Sequence, residues 1–213
     1  MEKRDHWEKL YGTRRPDQVS WFQPRAAMSL DLILTALPDR DEPILDVGAG
    51  ASTLVDDLLR EGYRDVTVLD LASAALKTVR SRLGTDAQRV SFRVGDVTTL
   101  ALPPASVALW HDRAVFHFLT DPSDRRRYLE QVHRTVVPGG LVLVSTFAED
   151  GPTRCSGLDV ARYSPSRLHS AFGSSFTLLE TRREAHQTPT GAIQPFTYCL
   201  CRFTPLERAA PAA

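Results

Sequence analysis

Ile44-Leu45-Asp46-Val47-Gly48-Ala49-Gly50-Ala51-Ser52-Thr53 reads as a buried strand, a tight glycine turn and the first residues of a helix. Ile44, Leu45 and Val47 form a short apolar run behind Pro43, the pattern of a central parallel strand. Gly48 and Gly50 let the backbone turn sharply and let a ligand come close. Ser52 and Thr53 can cap the helix, whose inward face is Leu54, Val55, Leu58 and Leu59. A polar ligand here meets bare backbone and the positive end of a helix dipole.

Outward from this turn the chain alternates strands with helices. Val66–Asp70 is the second strand, and Asp70 lies about 20 residues past the glycines, where a carboxylate can accept hydrogen bonds from ribose hydroxyls. Ser73 is the expected cap of the helix that carries Leu76, Val79 and Leu83. Val90–Val94 is the third strand, followed by Gly95-Asp96-Val97. The fourth, Ser106–Trp110, runs into His111-Asp112-Arg113, which should fall beyond the strand's carboxyl end, where open α/β sheets bind ligands. Asp121 and Pro122 open a helix with Tyr128, Leu129, Val132 and Val136 inward. Pro138-Gly139-Gly140 ends it and leads to a fifth strand, Leu141–Phe147. A loop over Glu149–Asp159, a short helix opened by Ser164-Pro165, and an antiparallel pair, Phe176–Glu184 and Phe196–Phe203, complete the pattern. His186-Gln187-Thr188-Pro189-Thr190-Gly191 is read as a polar connector able to reach a substrate.

Two nucleotide ligands fit such a turn poorly. A dinucleotide fold wants a third glycine where Thr53 stands, and a phosphate loop wants a lysine that is absent. Asp46 before the turn suits a cation instead. The segment resembles motif I of the class I S-adenosylmethionine (SAM)-dependent methyltransferases, with Ser52 in place of the last glycine. The downstream acids Asp70 and Asp96 and the Pro-Gly-Gly extend the resemblance over nearly the whole chain. It implies a Rossmann-like seven-stranded α/β sheet with helices on both faces and a C-terminal antiparallel strand pair. It also implies SAM as cofactor, leaving S-adenosylhomocysteine (SAH) as product. Asp46, Gly48 and Gly50 would cradle the methionine end, Asp70 and the following Leu71 the ribose, and Asp96 with Val97 the adenine.

With 213 residues and 23.7 kDa, the chain suits one such domain over 1–204, with a flexible tail over 205–213. Zero net charge gives no global attraction for nucleic acid or anionic membrane, so neither is an expected partner. No run is long enough to cross a bilayer, and the charged start is no signal peptide. Three cysteines cannot all pair, which makes the cytoplasm the expected compartment. Trp7, Tyr11 and Trp21 precede the nucleotide fold; residues 1–24 are read as a lid in which Tyr11 and Trp21 close over the donor.

Methyl transfer needs alignment, exclusion of water and a nucleophile with a free lone pair, but no metal. His111, Asp112 and Arg113 are the catalytic candidates by position, with His111 alternatively a hydrogen-bonding wall of the adenine pocket. Asp112 and Arg113 can form an ion pair, or Arg113 can hold an anionic substrate group. His117 is expected to face solvent or pack on a strand. Asp112-Arg113-Ala114 resembles the Asp-Arg-Gly of thiopurine and tellurite methyltransferases. The N-terminal aromatics resemble the lysine methyltransferases of elongation factor and citrate synthase, which carry Asp-Lys-Gly at this place. The expected acceptor is a small molecule; a protein lysine is the alternative. Cys155, Cys199 and Cys201 allow a further reading, thiolate binding of a metalloid, against simple core packing. A non-catalytic SAM-binding protein fits less well, since Asp46, Gly48, Gly50, Asp70 and Asp96 are all present.

Overall fold

Strand β1 (Ile44–Val47) lies inside the sheet, with all four of its side chains buried, on both faces. Around it run β2 (Val66–Asp70), β3 (Val90–Val94), β4 (Val107–Arg113) and β5 (Val136–Phe147), all parallel. Beyond a two-stranded hairpin of β6 (Arg154–Cys155) and β7 (Leu158–Asp159), β8 (Phe176–Gln187) and β9 (Ile193–Phe203) close the main sheet antiparallel. The seven-stranded order is β3-β2-β1-β4-β5-β9-β8. The computed structural model describes residues 3–205. Apart from Pro205, the expected tail lies outside them.

Helices cover both faces, as the sheet's two-sided burial requires. Leu30 and Ile33 of α2 (Ala27–Ala36), Leu54 and Leu58 of α3 (Leu54–Arg60) and Leu76 and Val79 of α4 (Ser73–Leu83) pack on one face with Ile44 and Leu143. Tyr128 and Val132 of α5 (Pro122–Thr135) and Leu168 and Phe172 of α6 (Pro165–Phe172) pack on the other with Leu45, Val47 and Val144. Asp121 and Ser164 cap their helices through Ser123 N and Arg167 N. Among the described residues no helix is long and apolar enough to cross a membrane.

Several expectations change. The fourth strand extends through Arg113, so His111, Asp112 and Arg113 alternate across the sheet instead of following it. Pro138-Gly139-Gly140 lies within β5, and His186 lies in β8, because β8 and β9 pair as far as Gln187 and Ile193. The Glu149–Asp159 loop contains the β6–β7 hairpin, turned by Ser156 and Gly157, both at positive φ. Ser73 does not cap α4; Glu8 of α1 (Lys3–Thr13) does, accepting from Ser73 N (2.7 Å) and Ala74 N (3.1 Å). Helix α1 is further tied by a Lys3–Asp124 ion pair and by His6 Nε2 to Ser156 Oγ at 3.2 Å.

His117 packs against β5 and is fully buried, its Nδ1 accepting from Phe147 N. Burial, with Arg113 nearby, pushes its pKa down to about 3. The folded value lies below the unfolded one, so this stability is complete above pH 6.5 and is lost as pH falls toward 3, at about 1.4 kcal/mol per unit. Denaturant melts of wild type and His117→Gln across pH 4–7 should show the wild type losing its advantage over the variant toward the acid end. A constant gap would mean that the ring does not titrate between the two states.

Candidate active site

Two adjoining cavities open at the carboxyl ends of the parallel strands. The larger, about 890 Å³ with its mouth, is lined by Val47, Gly48, Leu69, Asp70, Leu71, Gly95, Asp96, Val97 and Arg113 to Val115. The smaller, about 560 Å³, is lined by Asp46, Gly48, Ala49, Ser52, His111 and Arg113 on the sheet side. Tyr11, Trp21, Gly48 and Arg113 border both.

The glycine turn is shaped by what stands above it. At Gly48, φ +61°, a Cβ would overlap Val115 Cγ2; at Gly50, φ +54°, it would overlap the Tyr11 hydroxyl. Tyr11 meets Trp7 and Trp21, and Trp7 meets Phe118, all with ring centroids 5.1–6.3 Å apart. The N-terminal aromatics therefore roof the cavities. Asp70 is buried beneath this roof and accepts from Gly50 N (2.7 Å) and Ala72 N (2.8 Å). Burial pushes its pKa up to about 6, against those two hydrogen bonds. Burial, and then the Asp70 charge, drives the Tyr11 hydroxyl well above its ordinary value, so it stays protonated. Asp96 accepts from Thr98 N and Thr98 Oγ1, both at its Oδ1.

Parallel pairing sets Asp46 beside His111. Asp46 Oδ1 meets His111 Nδ1 at 2.6 Å, and His111 Nε2 meets Ser29 Oγ of α2 at 2.9 Å. All three side chains are nearly inaccessible. Asp46 Oδ2 is buried with no partner. A buried carboxylate oxygen without a donor, bordering a cavity, fits a cationic group. SAM carries such a group.

Asp112 points to the opposite face and lines neither cavity. Its carboxylate, fully buried, accepts from Tyr128 Oη (2.6 Å), Val115 N (2.8 Å) and Phe116 N (3.0 Å). Burial, opposed by the Tyr128 hydrogen bond, pushes it up to about 6. The Asp112–Arg113 ion pair is thus corrected: successive residues of a strand face opposite ways. Arg113 instead donates from Nε to Tyr198 Oη (3.0 Å) and from Nη1 to Trp21 O (3.3 Å), with Glu184 Oε2 at 3.5 Å from Nη2. His186 lines neither cavity; its Nε2 meets Ser20 O at 2.7 Å. The cysteines also separate. Cys155 borders the larger cavity, whereas Cys199 and Cys201 pack in the core of the other face. Among the described residues no cluster of metal-ligating side chains forms, so the metalloid reading has no three-thiolate site.

The chain's sequence left Ser29, Gln23, Glu184, Tyr198 and Val115 unmarked. Their roles come from pairings across 14 to 161 positions, which no local pattern announces; only the acid of Glu184 amid the β8 arginines hinted at a partner.

A family profile described as "Methyltransferase domain" matches residues 44–140. A curated relative, the eEF1A lysine and N-terminal methyltransferase of Bos taurus, is 26% identical over 97% of this chain. The chain spans only 29% of that relative's length. Among solved structures, the 1,6-didemethyltoxoflavin-N1-methyltransferase of Burkholderia thailandensis, bound to its substrate and SAH, is similar at 25% identity and TM-score 0.68, covering 85% of this chain and 80% of that one. A structure solved in work on conversion of a disulfide bond into a thioacetal group during echinomycin biosynthesis shares the fold at TM-score 0.77 and 18% identity, covering 95% and 94%.

Proposed function

We propose, from the premise that this chain belongs to the class I SAM-dependent methyltransferases, that it methylates a nucleophile of a small-molecule acceptor. The observation that carries the acceptor class is the aromatic roof over the cavities. Helix α1 is fastened to α4, α5 and the β6–β7 turn, and Trp7, Tyr11 and Trp21 narrow the space beneath them to one suited to a small reactant. On this reading residues 1–204 act as one domain with 1–24 as its lid. Three free, buried cysteines agree with a cytoplasmic setting.

Bound in the two cavities, SAM supplies an electrophilic methyl group on a sulfonium. Asp46 Oδ2 would take its ammonium, beside Gly48 and Gly50; Asp70 and Leu71 would meet the ribose; Asp96 and Val97 would meet the adenine. Tyr11 and Trp21 would exclude water, which favours displacement over hydrolysis. His111, engaged at both ring nitrogens, would fix Asp46 as a positioning residue instead of taking a proton. Asp112 would hold the turn after β4, and Arg113 would face the acceptor. A nucleophile deprotonated before binding needs no base here.

A second reading, protein-lysine methylation, draws on the bovine relative, whose match includes the N-terminal roof. One assay separates the two. Methyl-labelled SAM is supplied with a panel of small thiols, amines and carboxylates, or with a translation elongation factor. SAH formation with a small acceptor and no label on the protein is the expected result. Label on the elongation factor alone would transfer the assignment to a lysine.

A further inference from the structure

Arg113 is an under-satisfied buried cation. Its side chain is 10% exposed, yet of five guanidinium N–H groups only those on Nε and Nη1 find hydrogen-bond acceptors. Nη2 is buried without one. Its nearest anion, Glu184, sits 3.5 Å away and is already held by Gln23 Nε2 on Oε1 (2.6 Å) and by Tyr198 Oη on Oε2 (2.7 Å). The guanidinium lies over the Phe196 ring, 4.5 Å from its centroid, which fixes one flat side. Arg113 borders both cavities, with Trp21 and Tyr11.

We infer that the methyl acceptor carries a carboxylate, received by Arg113 beside the transferring group. The inference rests on the methyltransferase reading above. A carboxylate is the planar partner that two parallel guanidinium N–H groups match. The position of Arg113 favours the acceptor over the donor's own carboxylate. The donor side is built from β1, β2 and β3, whereas Arg113 draws its side-chain partners, Glu184 and Tyr198, from β8 and β9, on the other half of the sheet. Glu184 balances the arginine while no acceptor is bound, and keeps a lone buried charge from destabilising the fold.

The test uses the full chain saturated with SAH and titrated by calorimetry with acetate and benzoate, each against its neutral amide, acetamide and benzamide. At least one carboxylate should bind tenfold or more tighter than its amide. Arg113→Gln should abolish the preference. Since that variant strands Glu184 and can fail to fold, Glu184→Gln is the second arm: it removes the competing anion and should tighten the carboxylate several-fold while SAH affinity stays the same. No preference for either carboxylate in wild type and Glu184→Gln overturns the inference. A Glu184→Gln effect on SAH instead of on the probes also overturns it, assigning Arg113 to the donor. Failure of SAH to bind at all would strike the methyltransferase reading itself, a separate and visible outcome.

Discussion

Replacing Asp70 with alanine is expected to weaken SAM and SAH binding by at least about a hundredfold, about 2.8 kcal/mol. The carboxylate does two things at once. It accepts from Gly50 N and Ala72 N, which fixes the glycine turn, and it lines the larger cavity where ribose hydroxyls would lie. Alanine strands two amide donors, at about 1–3 kcal/mol each when buried, and removes the ribose contact. Calorimetric titration with both ligands reads the loss. Asp70→Asn should fall between the two, since its oxygen can satisfy one amide while its NH2 faces the other. Unchanged affinity in the alanine variant would take Asp70 out of the donor site.

For Asp112→Ala the expected loss is in the fold: a Tm lower by about 10 °C, from roughly 3–5 kcal/mol of lost stability. Three buried donors, Tyr128 Oη, Val115 N and Phe116 N, lose their acceptor together. Trp110 Nε1, which donates to Tyr128 Oη at 2.8 Å, loses the chain behind it. Their turn is also strained, because Ala114 stands at φ +74°, a conformation that costs a non-glycine residue about 1–2 kcal/mol. Asp112 offsets that cost by accepting from the next two amides. The pH dependence has a definite sign. Burial raises the folded pKa of Asp112 to about 6, as for Asp70, so each favours the fold at acid pH and loses that contribution as pH rises through about 6. A Tm shift below about 2 °C accompanied by lost turnover would return Asp112 to the chemistry.

The sheet was legible because its strands are apolar runs ended by acids or glycines, and β2 and β3 fall where the pattern puts them. Asp70 and Asp96 were found by position at strand ends, and they do line one cavity with Gly48 and Leu71. What the residues alone left hidden is depth and facing. His111-Asp112-Arg113 reads as a polar terminus, since three polar residues seldom sit inside a central strand. Here each is accommodated by a distant partner: Ser29 for His111, Tyr128 for Asp112, and Glu184 with Tyr198 for Arg113. Such pairing makes burial tolerable without leaving a periodic trace. Ser73 failed as a cap for the same reason, Glu8 supplying the acceptor from 65 residues upstream.

That last contact also bears on how the chain is made. The ribosome delivers α1 early, but its partners Ser73, Asp124 and Ser156 arrive 65 to 150 residues later. At about 5–20 residues per second, the wait is on the order of ten seconds or more. Through that interval Trp7 and Tyr11 lack most of the surface they cover in the fold, and an eleven-residue helix is marginal in water by itself. A helix made ahead of its partners thus docks only once they have followed it. Nascent chains stalled before Ser156 would expose these aromatics to chaperones, and only chains past it could shut the cavity.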